Sequence, residues 1–220
     1  MPKIQAHTGV SRIADNTDAD VRIGNQGEAL TGAMNGFFYE QVMRGNGYVF
    51  STALAGNALV AATTTNAPAI WNPPGSGRYL VIEKIVFGRS AVGTPLEGGI
   101  VHLRAQNINS YPGTAAAIVS ATFVAALNLR SDLGDNSGMF FAPTTITTTG
   151  TPSFWATSGI SQIASTGTTT GTGTFNVFSD INGMLVVAPG TLYQLGATVS
   201  LSTTYSISIF ALSLPIPLTA

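Results

Sequence analysis

Two histidines, His7 and His102, and ten acidic residues make up the whole supply of neutral-pH acids, bases and hard ligands in this 220-residue chain, which has no cysteine. Disulfides and thiolate-bound zinc are therefore excluded, and the sequence predicts no cofactor. A nucleophilic serine needs a base and an orienting acid within hydrogen-bond reach. The run Gly134-Asp135-Asn136-Ser137-Gly138 places a serine among turn residues, but Asn136 interrupts an Asp-Ser-Gly order and only His102 or His7 could serve as base. Gly, Asp, Asn and Ser are the residues a tight turn favours, and a turn is the expectation. His102 stands between Val101 and Leu103, which predicts a hydrogen-bonded residue inside a strand. Asp15, Asp18 and Asp20, with Asn16, offer oxygens to calcium. Thr17 and Ala19, however, occupy positions where an EF-hand loop places ligands, and no glycine follows. A solvated acidic loop is the expectation there, with calcium as the alternative. Pro73-Pro74-Gly75-Ser76-Gly77-Arg78 lacks the Gly-Lys-Ser/Thr ending of a phosphate loop and predicts a hairpin turn. Nothing in the sequence pairs Glu83, Glu97, Asp132, Asp135 or Asp180 as the two carboxylates of glycoside hydrolysis. Tyr39, Trp71, Tyr79, Tyr111, Trp155, Tyr193 and Tyr205 suffice for a sugar-binding surface and serve equally as core and interface anchors. The expectation is a non-enzymatic protein.

The elements that would position these residues are strands. From Gly47 onward, short β-branched and aromatic runs alternate with Gly, Pro and Asn clusters. Arg78–Arg89 predicts a strand with Tyr79, Val81, Glu83, Ile85 and Phe87 on one face, and Leu80, Ile82, Lys84 and Val86 on the other. Ile100, His102 and Arg104 share a face of the next strand, Gly98–Gln106. Ala115–Leu129 is rich in alanine, yet Ile118, Val119, Thr122, Phe123 and Val124 favour strand. Met139–Ala142, Thr144–Thr149, Ser153–Thr157 and Ile160–Ser165 predict short strands, and the Thr/Gly tract Thr166–Thr174 a hairpin tip or loop. Phe175–Ser179, Met184–Ala188 and Thr191–Gly196 follow. Thr203–Leu214 is a long alternating strand that Pro215 and Pro217 end. The architecture predicted is all-β, an antiparallel β-sandwich or jelly roll over residues 47–220, preceded by an extended N-terminal arm over residues 1–46. Within the arm Leu30, Met34, Phe37 and Phe38 fall at helical spacing, weakened by Gly32 and Gly36. A short helix and an extended segment are equally supported.

Charge is the most informative number. Only 9% of residues are charged, although 45% are hydrophobic, against about 25% charged in ordinary globular proteins. Nine of the nineteen charges lie in the first 44 residues, and from Asn136 to Ala220 the only one is Asp180. A free monomer keeps charge on its surface for solubility, so this composition points to a folded body partly walled in by partners. Net charge of −1 argues against nucleic acid as ligand. No apolar run reaches the ~18 residues of a membrane-spanning helix.

The stretch Phe37-Phe38-Tyr39-Glu40-Gln41-Val42-Met43-Arg44-Gly45-Asn46-Gly47-Tyr48-Val49-Phe50-Ser51 resembles a segment of structural proteins of tailed bacteriophages. So does Ile70-Trp71-Asn72-Pro73-Pro74-Gly75-Ser76-Gly77-Arg78-Tyr79-Leu80-Val81-Ile82, an Asn-Pro-x-Gly-Ser-Gly turn between apolar strands. The resemblance covers residues 37–105 and carries no catalytic residue. It implies a virion protein, and within that class a capsid decoration (cement) protein on the capsid exterior. Such proteins are small β-sandwiches or jelly rolls that form trimers and reach the major capsid protein with terminal arms. On that expectation Phe37, Phe38, Tyr39 and Met43 are arm anchors, with Arg12, Arg22 and Arg44 making polar contacts. A tail, collar or fibre component is the alternative within the virion, and a carbohydrate-binding receptor-recognition domain the alternative outside that class.

Overall fold

The computed structural model describes residues 37–60, 65–66, 68–91, 100–112, 117–158, 176–198 and 204–216. Arg12, Arg22, the acidic loop at Asp15, Asp18 and Asp20, and the Thr/Gly tract lie outside them, as do Ile160–Ser165 and Glu97. The chain divides into two compact units, Met1–Glu40 and Gln41–Ala220. Of the first, only the opening of helix α1 (Phe37–Met43) is described. The helix stops in a Schellman arrangement: Gly45 N donates to Val42 O and Asn46 N to Gln41 O, both at 2.9 Å, with Gly45 at φ +81°. A left-handed residue is needed at that position, and glycine takes it at no steric cost.

The second unit is built of strands. In chain order they are β1 (Gly47–Ser51), β2 (Asn57–Ala58), β3 (Thr65–Asn66), β4 (Ala69–Asn72), β5 (Arg78–Ala91), β6 (Ile100–Gln106) and β7 (Ile118–Ala121). These are followed by β8 (Leu127–Asn128), β9 (Phe140–Ala142), β10 (Ile146–Thr148), β11 (Ser153–Ser158), β12 (Asn176–Val187), β13 (Thr191–Ala197) and β14 (Thr204–Pro215). The first sheet runs β12-β5-β14-β1-β8, with β2 also on β14; the second runs β11-β6-β13-β4-β9; a small third sheet runs β3-β10-β7. The antiparallel pairs are nested: β6 with β11, β5 with β12, β4 with β13 and β1 with β14. This is one long hairpin folded over on itself, with alternate pairs falling in opposite sheets. The fold is a jelly roll. The innermost pair is joined through residues 107–152, and that excursion supplies β7 and β10 to the third sheet, β8 to the edge of the first and β9 to the edge of the second.

Two apolar clusters separate the layers. Phe50, Leu80, Ile82, Ile85, Phe87, Ile207 and Ile209 from the first sheet meet Ile70, Ile100, Phe141, Tyr193 and Leu195 from the second. On the other side of the second sheet, Ala69, Trp71, Ala142 and Leu192 meet Ile118 and Ile146 of the third. β13 therefore has covered neighbours on both faces, and all seven of its residues are buried.

Two sequence expectations need correction. The Pro73–Gly77 segment is a turn but not a hairpin, because β4 and β5 belong to different sheets. Asn72 holds this corner by donating from Nδ2 to Arg78 O and to Val187 O, each at 2.9 Å. The faces of β5 also exchange partway. Its buried residues are Leu80, Ile82, Ile85 and Phe87. Opposite them, Phe210 pairs with Lys84 and Ala211 with Ile82, so Glu83 is an extra residue at a β-bulge. One inserted residue moves every following side chain to the other face. That explains why the sequence looked apolar on both sides.

At the other edge of the first sheet, α1 delivers Val42 to the outer surface. A Cβ on Gly47 would lie 2.6 Å from Val42 Cγ2, so glycine is what allows that approach. Arg78 ties the strand ends together: Nε donates to Ser213 Oγ at 2.7 Å, and Nη2 donates to Asn46 Oδ1 at 3.0 Å and to Ser213 O.

Candidate interaction surface

The polar residues singled out for chemistry have structural partners. The strand alternation of β6 turns His102 inward, where Tyr193 of neighbouring β13 lies 2.7 Å from its Nδ1. Burial lowers the His102 pKa to about 4 and pushes the Tyr193 phenol well above its ordinary range. The imidazole is thus neutral at pH 7. Tyr193 has no other hydrogen-bond partner among the described residues, so this bond is the one that satisfies its buried hydroxyl. Ser137 is buried, but its hydroxyl accepts from Met139 N at 3.2 Å, and its carbonyl accepts from Ser213 Oγ at 2.8 Å. The fold gives the serine backbone partners and gives His102 a tyrosine. The Gly134–Gly138 run is an irregular loop that follows the turn closed by Leu133 N donating to Arg130 O, with Asn136 Oδ1 accepting from Gly138 N and Asp135 Oδ1 from Asn128 N.

The carboxylates are dispersed. Lys84 and Asp180 pair at 3.3 Å across β5 and β12. Arg130 grips both oxygens of Asp132 at 2.8 Å and holds that carboxyl below its usual range. Burial raises Glu83. Among the described residues no group of three or more His, Asp or Glu converges as a metal site, and no helix is long and apolar enough to cross a membrane.

The arm anchors are placed as follows. Tyr39 and Arg44 are exposed, and Phe38 and Met43 are half-buried. Met43 O accepts from Arg130 Nη1 at 2.6 Å. Phe37 opens α1.

The sequence did not reveal an aromatic cluster on the outer side of the second sheet. Trp71 of β4 stacks on Phe140 of β9, with centroids 5.3 Å apart, and on Phe123 at 6.3 Å. Phe123 meets Phe140 at 5.4 Å and Tyr111 edge-on at 5.0 Å. Trp71 is buried and donates from Nε1 to Ile108 O at 3.1 Å, whereas Phe140 is 45% and Tyr111 40% exposed. Exposed Asn107 and Asn109 flank Ile108. Adjacent Phe140 and Phe141 point to opposite faces of β9, as a strand requires. The only signal available beforehand was the pairing of two phenylalanines, which does not say which one faces out. No protein-family model, no curated protein and no solved structure matches the chain.

Among the described residues, one buried group on this side has no partner. Gln194 of β13 lies opposite Ala69 and Leu103 and is fully buried, and neither Nε2 nor Oε1 has a hydrogen-bond partner among the described residues. A buried unsatisfied polar group costs about 1–3 kcal/mol. Gln194→Met keeps the volume and removes both groups, so it is expected to raise the unfolding free energy by about 1–2 kcal/mol. Urea melts of the two proteins measure this. A less stable variant would mean that the amide is satisfied through ordered water.

Proposed function

We propose that this protein is a non-enzymatic virion structural protein, a capsid decoration protein whose jelly-roll body cements the shell through contacts with its own copies and with the major capsid protein. The observation that carries the reading is the outer side of the second sheet, where apolar and aromatic side chains are exposed with no ionic group beside them among the described residues. Large exposed apolar patches mark interaction sites rather than free surface. The jelly roll is an architecture of viral capsid and lectin domains, which favours the same class by analogy of fold alone. The resemblance of residues 37–105 to phage structural segments points the same way. Burial of apolar area contributes about 25 cal/mol per Å², and association costs offset much of it. A cementing role therefore relies on many copies bound at several contacts each. The first-unit residues Arg12, Arg22, Phe37, Phe38 and Tyr39, with Met43 and Arg44, are the proposed contacts to the shell.

The test is compositional. Particles purified from a culture carrying the gene are analysed by mass spectrometry and labelled with an antibody against this chain. Peptides in fixed ratio to the major shell protein, with label over the shell, are expected. Label on a tail or fibre would move the protein to that part of the virion. Absence from particles whose other structural proteins are all detected would end the proposal.

A second reading, recognition of a carbohydrate, is favoured by one feature: Tyr111 and Phe140 are exposed beside Asn107 and Asn109. Aromatic faces stack on sugar rings while amides bond their hydroxyls. Binding on a glycan array that is lost in Tyr111→Ala and Phe140→Ala would support it.

A further inference from the structure

The charges of the second unit are not spread over it. Among the described residues, Arg78, Glu83, Lys84 and Arg89 are on β5 and Asp180 on β12, both strands of the first sheet. Arg130, Asp132 and Asp135 follow β8 at that sheet's edge, and Arg44 follows α1. On the second sheet the one charged residue is Arg104. Its register partner on β13 is Tyr193, a member of the core between the first and second sheets, and its guanidinium lies over Trp155, 5.5 Å from the ring centroid. The strands of the third sheet, β4, β9, β11 and residues 107–112 contain no Lys, Arg, Asp or Glu. Among its described residues, the second unit is therefore divided, with ionic groups on the first-sheet side and a charge-free face on the other. That face exposes Tyr111, Val119 of β7, Phe140 and Phe154 of β11.

We infer that this charge-free face is buried against the same face of another copy of the chain. The occupant follows from electrostatics. A partner that presented Lys, Arg, Asp or Glu here would bury them with no counter-charge, at a cost of several kcal/mol per ion. The covering surface must be as free of charge as the surface it covers. Among the described residues, the surface that meets this condition is the face itself. Facing itself, it also brings no like charges together, which a symmetric interface demands because each residue recurs on both partners. Exposed aromatics with charged residues depleted are the composition of an interface core. The inference deepens the assembly reading and rests on it for its biological setting. The two fail separately, however, because self-association is read on the purified chain alone and shell binding on particles.

The full-length protein is examined by analytical ultracentrifugation between about 1 and about 100 µM, a span that covers ordinary protein association. A closed dimer is expected, because a face that meets its own copy makes a two-fold interface. Val119→Asp puts a charge at a half-exposed site on this face and is expected to weaken association about 100-fold, the effect of losing a hot spot. Phe140→Ser is expected to do the same. Met184→Asp puts an equal charge at an exposed site on β12 of the first sheet and is expected to leave association unchanged. Circular dichroism melts establish that each variant is folded, and Val119→Asp decides the matter if Phe140→Ser is not. A wild-type protein that stays monomeric overturns the inference, including one that binds glycans through this face as a monomer. So does a folded Val119→Asp variant that associates like wild type, or a Met184→Asp variant weakened as much.

Discussion

Acidifying the protein from pH 7 to pH 4 is expected to remove about 3 kcal/mol of folding stability through His102 alone. In the unfolded chain this imidazole titrates near its ordinary value of 6.5, and in the folded protein burial lowers the pKa to about 4. Between those values the unfolded state binds a proton that the folded state refuses. Stability therefore rises with pH across the window and is lost as pH falls through it; below about 4 both states are protonated and the loss stops. Protonation puts a charge on a buried ring and leaves Nδ1 able only to donate to the Tyr193 hydroxyl. Removing His102 alone would strand that hydroxyl, so the proper comparison is His102→Phe combined with Tyr193→Phe. Urea melts at pH 4, 5, 6 and 7 should show a slope in wild type that the double variant lacks. Glu83, raised by burial, titrates with the opposite sign but is common to both proteins. Equal slopes in the two would show that His102 is not the group responsible.

The second large effect belongs to Phe141. It is fully buried and meets Phe50 edge-on at 5.7 Å, joining β9 of the second sheet to β1 of the first. Phe141→Ala is expected to cost about 3–5 kcal/mol from lost burial and the cavity left behind. For a domain of this size that lowers the melting midpoint by about 10 °C, and it is a large share of a typical total stability of about 5–15 kcal/mol. Phe140→Ala, one residue away on the outer side, should cost only about 1 kcal/mol, the value of a partly exposed aromatic contact. Thermal melts of the two variants test the assignment of faces directly. Similar losses at both positions would mean that β9 is not oriented as described.

Much of the architecture could be read from the order of residues. Period-two alternation in Thr203–Leu214 put Tyr205, Ile207, Ile209 and Ala211 on one face, and all four are buried. Turn chemistry marked the Pro73–Gly77 corner, and the apolar neighbours of His102 marked it as a hydrogen-bonded strand residue. These features are local: a strand's two faces and a turn's special dihedrals are set by residues a few positions apart.

What the sequence determined by itself is an all-β chain with few charges and scant means for chemistry. The tertiary structure decided how the hairpin nests, since β1 pairs with β14 across most of the chain and no local pattern encodes such a register. It decided that Glu83 is a bulge, because an inserted residue is visible only against the partner strand. It decided which of Phe140 and Phe141 faces solvent, and that β13 is covered on both sides. Among the described residues of the second unit, it also set most of the charges beside the first sheet and left the opposite face without any. Alternation says that a strand has two faces, but which sheet each face meets, and which charges share a surface, is settled only when distant segments pack.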